Sequence, residues 1–274
     1  MTSGQTLDVY AYIDYVNEHK EFFDLYANLD VIGSAEGTWK NQRIMEKAGL
    51  NPLPVYHINE DPKFLAMAME YDYFAVGGMA RSSSASLQFQ VDEIFSIICP
   101  KSNDYFPTHK IHGFGTTKPS IMVSYPWYSV DSSSWVKYGL YGIVLIPRFF
   151  HGKPTYNKPP MTVVMSNRSK AIGDQLHFAN ISAMEKEAIL NYFAEKGISI
   201  GESYIVNVEA GHELLDNEVW INKEKTKVEQ ICEYGLINNH VARDHANLLY
   251  FLDLEKFQQK WPWQWKKKSG RLDI

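Results

Sequence analysis

Along the first 131 residues two hydrophobic periods take turns. In DVYAYIDYVNEHK (8–20), Val9, Tyr12, Ile13 and Val16 fall on one face at helical spacing, with Asp8 placed as the N-cap. DLYANLDVI (24–32) alternates as a strand, and SAEGTWKNQRIMEKAG then reads as a helix that Ser34 caps and Gly49 ends. The pair recurs in PLPVYHI (52–58) and DPKFLAMAMEY (61–71), where Asp61 caps and Pro62 sits in the first turn. YFAVGG (73–78) is a further strand, joined by a Ser-rich connection to the helix LQFQVDEIFSIIC (87–99). KIHGFG (110–115), the short KPSIMVSY segment, WYSVD (127–131) and LYGIVLIPRF (140–149) continue the series.

Strands alternating with helices predict parallel βα units, in either a doubly wound sheet or a (β/α) barrel. Polar residues gather just after the C-terminal ends of successive strands: Asp30, His57, Gly77 to Met79, His112 to Gly115, and Asp131. Barrels build their active sites at that face, whereas a doubly wound sheet populates only the switch point, so the pattern favours the barrel. Past residue 150 the rhythm weakens. HGKPTYNKPP reads as an irregular Pro-rich connection, MTVVMS (161–166) as a strand, and SAMEKEAILNYFAEKG (182–197) as a helix with a Ser182–Glu185 capping box. Residues 222–259 look largely helical and run into KWPWQWKKK. The expected division is therefore 1–150, holding the active site, and 151–274, holding the rest of the barrel and a helical C-terminal region.

Composition narrows the classes. With 45% hydrophobic residues and 17 Tyr, 14 Phe and 7 Trp, 274 residues can bury a sizeable core. A net charge of −5 excludes binding to nucleic acid by total charge and leaves only local basic contacts. Cys99 and Cys232 lie far apart, which argues against a disulfide framework or zinc ribbon and for a reducing cytoplasm. No apolar run reaches a membrane span and the N-terminus lacks signal-peptide character, so no membrane partner is expected.

Among the nine histidines there is no HxH or HExxH, and His240 and His245 are five apart, off a shared helical face; no catalytic metal is expected. GFGTT lacks the Lys-Ser/Thr of a phosphate loop. Asp30 ends an apolar strand, where a carboxylate is costly unless paired, solvated or bound to a ligand, and Ser34 already serves as cap. Gly77, Gly78 and Met79 form either an ordinary tight turn or a backbone surface that a planar ligand can approach. His57 and His112 either orient a substrate or are satisfied structural histidines. Asp131 has Ser129, Ser132, Ser133 and Ser134 as donors that would keep it ionised, the state in which a carboxylate attacks an anomeric carbon. An Asp-Ser turn or helix cap is the simpler alternative.

The succession LDVIG, AVGGM, HGFG and YSVDSSSW resembles the tRNA-guanine transglycosylase superfamily. It looks most like the branch found in phages and bacterial DNA-modification clusters, the DpdA-like proteins that place 7-deazaguanines in DNA. The resemblance covers about residues 3–150 and implies a (β/α)8 TIM-barrel-like fold, here lacking its first strands, with a mixed α/β C-terminal extension. It implies a pentosyltransferase in which Asp131 is the nucleophile, Asp30 recognises the purine edge, and Gly77, Gly78 and Met79 bind the base. His112 and Gly113 would line the pocket, and His57 matches the position of another base-contacting residue. The implied partners are DNA, favoured over tRNA, and a 7-deazaguanine base, in the cytoplasm of a bacterium or a phage-infected host. Lys101, Lys110, Lys118, Lys137, Arg148 and the Trp261 to Lys268 segment would supply phosphate contacts and stacking surfaces.

Two departures shape the expectation. The family's zinc motif of closely spaced cysteines and a histidine is absent, so neither zinc nor any cofactor is expected. A segment like DSGAF, with an acid/base aspartate, normally precedes what here begins as TSGQTLDVYAYIDYV. The chain is therefore expected to be truncated, split, or completed by a protein partner, with turnover requiring that segment. The alternative is a noncatalytic nucleic-acid-binding subunit or a truncated remnant of such an enzyme. A glycoside hydrolase ranks last, since no second strand-end glutamate suggests itself.

Overall fold

In the computed structural model, which describes residues 7–79, 84–116, 118–173 and 175–267, the protein is mixed α/β. It divides into two compact units, one of residues 1–132 with 259–274 and one of residues 133–258. The compositional shift past residue 150 falls inside the second unit.

The first unit contains α1 (Val9–His19), α2 (Ala35–Lys47), β1 (Val55–His57), α3 (Pro62–Ala68), β2 (Tyr73–Gly77), α4 (Ser84–Ile98), β3 (Lys110–Gly113), α5 (Pro119–Ser124) and β4 (Ser129–Val130). The local signals are those of the sequence: Asp8 accepts from Tyr10 N–H, Ser34 from Gly37 N–H, and Asp61 from Lys63 N–H ahead of Pro62. The four strands form one sheet in the order β1-β2-β3-β4, each pair parallel. In sequential parallel order, crossovers of the usual right hand place the connecting helices on one face. The packing agrees, because Tyr56, Phe74, Val76 and Ile111 cluster with Trp39 of α2, Leu65 of α3, Phe95 of α4 and Ile121 of α5. The opposite face holds a smaller cluster of Leu53, Val55 and Ala75.

The strand expected at 24–32 contracts to a single parallel bridge, Ala27 with Leu53. Leu53 N–H donates to Tyr26 O at 2.8 Å and Asn28 N–H to Leu53 O at 3.0 Å. Beyond Asn28 the side chains of α2 capture the backbone: Asn41 Nδ2 donates to Leu29 O at 2.9 Å, and Val31 N–H donates to Thr38 Oγ1 at 2.9 Å. Side-chain bonds of this kind compete with a ladder and here replace it.

The second unit contains α6 (Ser134–Leu140), β5 (Ile143–Ile146), β6 (Arg148–Phe150), β7 (Lys153–Thr155), β8 (Met161–Val164), β9 (Leu176–His177), α7 (Ala183–Glu195), β10 (Glu202–Asn207), β11 (Glu218–Trp220), β12 (Lys227–Glu233) and α8 (His240–Phe257). The expectation that residues 140–149 extend the parallel series is corrected: β5 pairs antiparallel with β8, Ile143 opposite Val164, in a sheet of its own with β9. The Pro-rich connection is in part the β6–β7 hairpin, turned at His151 (φ 48°) and Gly152 (φ 75°). Two successive positive φ values match the twist of the flanking strands. The chain thus returns to β5 without the helical crossover that a parallel partner requires.

The helix expected from 222 begins only at His240, because Lys227–Glu233 is the middle strand of the antiparallel sheet β10-β12-β11. Asn222 closes its turn by accepting from the N–H groups of Thr226 and Lys227, each at 3.2 Å. Pairing on both sides, with Val228 and Ile231 buried, overrides the helix propensity of this charged segment. α7 begins with the expected capping box of Ser182 and Glu185.

One fully buried side chain ties α8 to β5 and α6. Asn247 Oδ1 accepts from Leu145 N–H at 2.8 Å, and Nδ2 donates to Ile143 O and Trp135 O, each at 3.1 Å. Among the described residues no helix is long and apolar enough to cross a membrane. Asn247→Ala leaves three backbone groups without their partner, at about 1–3 kcal/mol for each that stays buried. A fall in unfolding free energy of at least about 2 kcal/mol is expected in urea titrations, and an unchanged midpoint would refute the latch.

Candidate functional site

Every residue singled out at a strand end belongs to the first unit. The register sets their order along the C-terminal edge of the sheet: His57 lies opposite Gly77, Val76 opposite Gly113, and Gly113 opposite Val130, which precedes Asp131. With neighbouring strands ~4.8 Å apart, the row from β1 to β4 spans roughly 14 Å.

At one end His57 is held from both ring nitrogens. Its Nε2 lies 2.9 Å from Asp30 Oδ2 and its Nδ1 3.2 Å from Glu60 Oε1, while its backbone N–H donates to Glu60 Oε2 at 3.0 Å. The bonds to Asp30 and then Glu60 push the imidazole up to about 10 against the opposing effect of burial, so both nitrogens donate at neutral pH. Glu60 is the member of this group that pattern reading missed. Its signal was the turn after the strand, where a carboxylate three residues past a histidine reaches both the ring and the backbone.

Gly77 makes the arrangement possible, since a Cβ there would stand 2.8 Å from His57 Cδ2 and 3.0 Å from Nε2. Gly78 takes φ +82°, a conformation that costs a side chain dearly, and it is exposed. Met79, expected to contact the base, is instead 3% exposed and belongs to the helix-side core. Its sulfur receives the Thr116 hydroxyl at 3.8 Å. Asn28 is buried, and neither of its side-chain amide atoms finds a partner among the described residues.

At the other end Asp131 Oδ1 accepts Gly115 N–H at 2.6 Å and lies 3.7 Å from His112 Nε2. His112 foremost, with Gly115 N–H, holds the carboxyl below its usual range despite partial desolvation. The Asp131 side chain is 56% exposed, so its free oxygen can be approached. Ser129, expected to donate to Asp131, bonds elsewhere: its Oγ is 2.7 Å from His112 Nδ1 and 2.7 Å from Tyr73 OH. It orients the imidazole that faces Asp131. Gly113 is enclosed, for a Cβ there would meet Thr116 Oγ1 at 2.5 Å.

The aromatic tail is divided in its surroundings. Trp265 is 8% exposed and packs on Tyr125 and Phe95, so it is core and offers no stacking face. Trp261 meets Tyr128 edge-on at 5.1 Å, Lys110 Nζ lies 4.6 Å from the Tyr128 ring, and Lys267 pairs with Glu93; Lys268 lies outside the described residues. Among the described residues no group of three or more His, Cys, Asp or Glu side chains is arranged to hold a metal ion.

A folded-state pKa for His57 above its unfolded value near 6.5 contributes stability in full below about 6.5, lost as pH rises toward about 10. His57→Gln should therefore lose more stability at pH 6 than at pH 10.5, and an equal loss at both would refute the clamp. Gly77→Ala should dislodge the ring from Asp30 and bring the His57 titration, followed by NMR, down toward the ordinary histidine range. No family model, curated protein or solved structure matches this chain.

Proposed function

We propose that the strand-end row is the active site of a base-exchange glycosyltransferase, with Asp131 as nucleophile. The observation that supports this best is a carboxylate kept ionised yet exposed, on the same sheet edge as a carboxylate–imidazolium cluster and a glycine pair. In this reading the four parallel strands are part of a (β/α)8 barrel, their Leu53, Val55 and Ala75 face turned inward.

Asp131 attacks C1′ of a guanosine nucleotide, the C1′–N9 bond breaks, and guanine leaves with its N9 electron pair and takes up a proton. A 7-deazaguanine that has lost its N9 proton then attacks C1′ and releases Asp131, so protons and charge balance over the two steps. Asp30, held against His57, accepts hydrogen bonds from the purine edge, while Gly77 seats the His57 ring and the exposed Gly78 backbone lets the base lie close. A target base in a duplex must leave the stack to reach this edge, with DNA favoured over tRNA as the acceptor.

Incubating the full chain with guanine-containing DNA or tRNA and labelled guanine or 7-deazaguanine tests the assignment. Label incorporation is expected, falling by at least about 10³-fold in Asp131→Ala, as when a covalent nucleophile is removed. Failure to incorporate label while the chain still binds the nucleic acid would replace this reading with a noncatalytic binding module.

A further inference from the structure

We infer that the second unit holds a phosphate-binding site, walled by Arg168, Arg243, Ser166, Ser169 and His240. A cavity of about 320 Å³ opens there, with Leu140 completing its wall. That volume is at the small end for a ligand pocket. The site is independent of the base-exchange reading.

Arg243 is what distinguishes it from an ordinary surface dent. The residue is 2% exposed, and its guanidinium is fixed by Nε donating to Gly139 O and Nη1 to Leu236 O, each at 2.7 Å. Nη2 has no acceptor among the described residues. Nη2 is not sealed from solvent, so it is the donor available to an anion that enters the cavity. Arg168 brings a second charge: its Nη2 donates to Asn238 O at 3.1 Å and its Nε pairs with Glu229 at 2.9 Å, leaving Nη1 without an acceptor among the described residues.

Two carboxylates stand nearby: Glu229 pairs with Arg168 through Oε2, and both it and Asp244 partly offset the forces on the Arg243 charge. Asp244 Oδ1 lies against the Gly139 backbone, where a Cβ would meet it at 1.8 Å, and Glu229 Oε1 accepts the Ser203 hydroxyl at 2.7 Å. Neither carboxylate lines the cavity. Burial first, and then repulsion from Arg168, push Arg243 down to about 10, which still leaves it a cation at neutral pH. His240 is the first residue of α8, so the cavity also meets a helix N-terminus, whose partial positive charge favours an anion. Two guanidinium groups with hydroxyls to the side suit a tetrahedral oxyanion, whereas a planar carboxylate is satisfied by a single fork.

Equilibrium dialysis of the full chain with labelled orthophosphate at low ionic strength tests this. One saturable site per chain with a Kd below about 1 mM is expected. Ser169→Asp and the exposed His240→Glu, each checked for native circular dichroism, should weaken binding at least about tenfold. Competitors identify the source of the phosphate. Displacement by a 5′-mononucleotide alone assigns a phosphomonoester, displacement by an oligonucleotide with only internal diesters assigns a nucleic-acid backbone, and displacement by neither leaves inorganic phosphate itself. Absence of saturable binding, or equal binding in both folded variants, would overturn the inference.

Discussion

The strand-end row depends on one imidazolium held between two carboxylates across a strand position that has no side chain. The His57 ring crosses the edge of the sheet at Gly77, where even a methyl group would stand 2.8 Å from it. On the far side it meets Asp30, in a segment that the ladder secures only through the Ala27–Leu53 bridge. The ion pair thus continues, by side chain, a connection that the backbone abandons after Asn28. Desolvation opposes the charge and the two acids outweigh it, so geometry and protonation state are set by the same contacts.

The opposite end of the row solves the reverse problem. Asp131 is held below the usual carboxylate range by an imidazole at 3.7 Å and the backbone N–H of Gly115, while its side chain stays 56% exposed. Ser129 fixes the far nitrogen of that imidazole and Tyr73 fixes Ser129, so the carboxylate stands at the end of a relay that starts in β2. Under the proposed function, Asp30, clamped by His57, would be the acid that binds and Asp131, the more exposed, the acid that reacts.

What the sequence made legible was local. Asp8, Ser34, Asp61 and Ser182 each cap the helix that their spacing announced, because a cap is decided within four residues. The position of His57, Gly77, His112 and Asp131 at the C-terminal ends of strands was likewise readable, since each closes or follows a run that forms a strand, and Asp30 follows the single bridge. Partners distant in sequence were not. Whether 24–32 ladders was decided by Asn41 and Thr38 on the next helix, and the direction of β5 by a strand that returns through a hairpin. Met79 reads like its glycine neighbours in one dimension, yet the backbone turn at Gly78 sends it into the core. Lys227–Glu233 has the charge pattern of a helix, and only two flanking strands make it the middle of a sheet.

The Asn247 amide has a chemical consequence of its own. It donates twice and accepts once, and all three bonds reach backbone in other elements. An aspartate has nearly the same outline but no donor when ionised. Hydrolysis of that one amide, the slow spontaneous ageing to which asparagine is prone, would set a negative charge against two carbonyl oxygens, turning a latch into a wedge with hardly any change in volume.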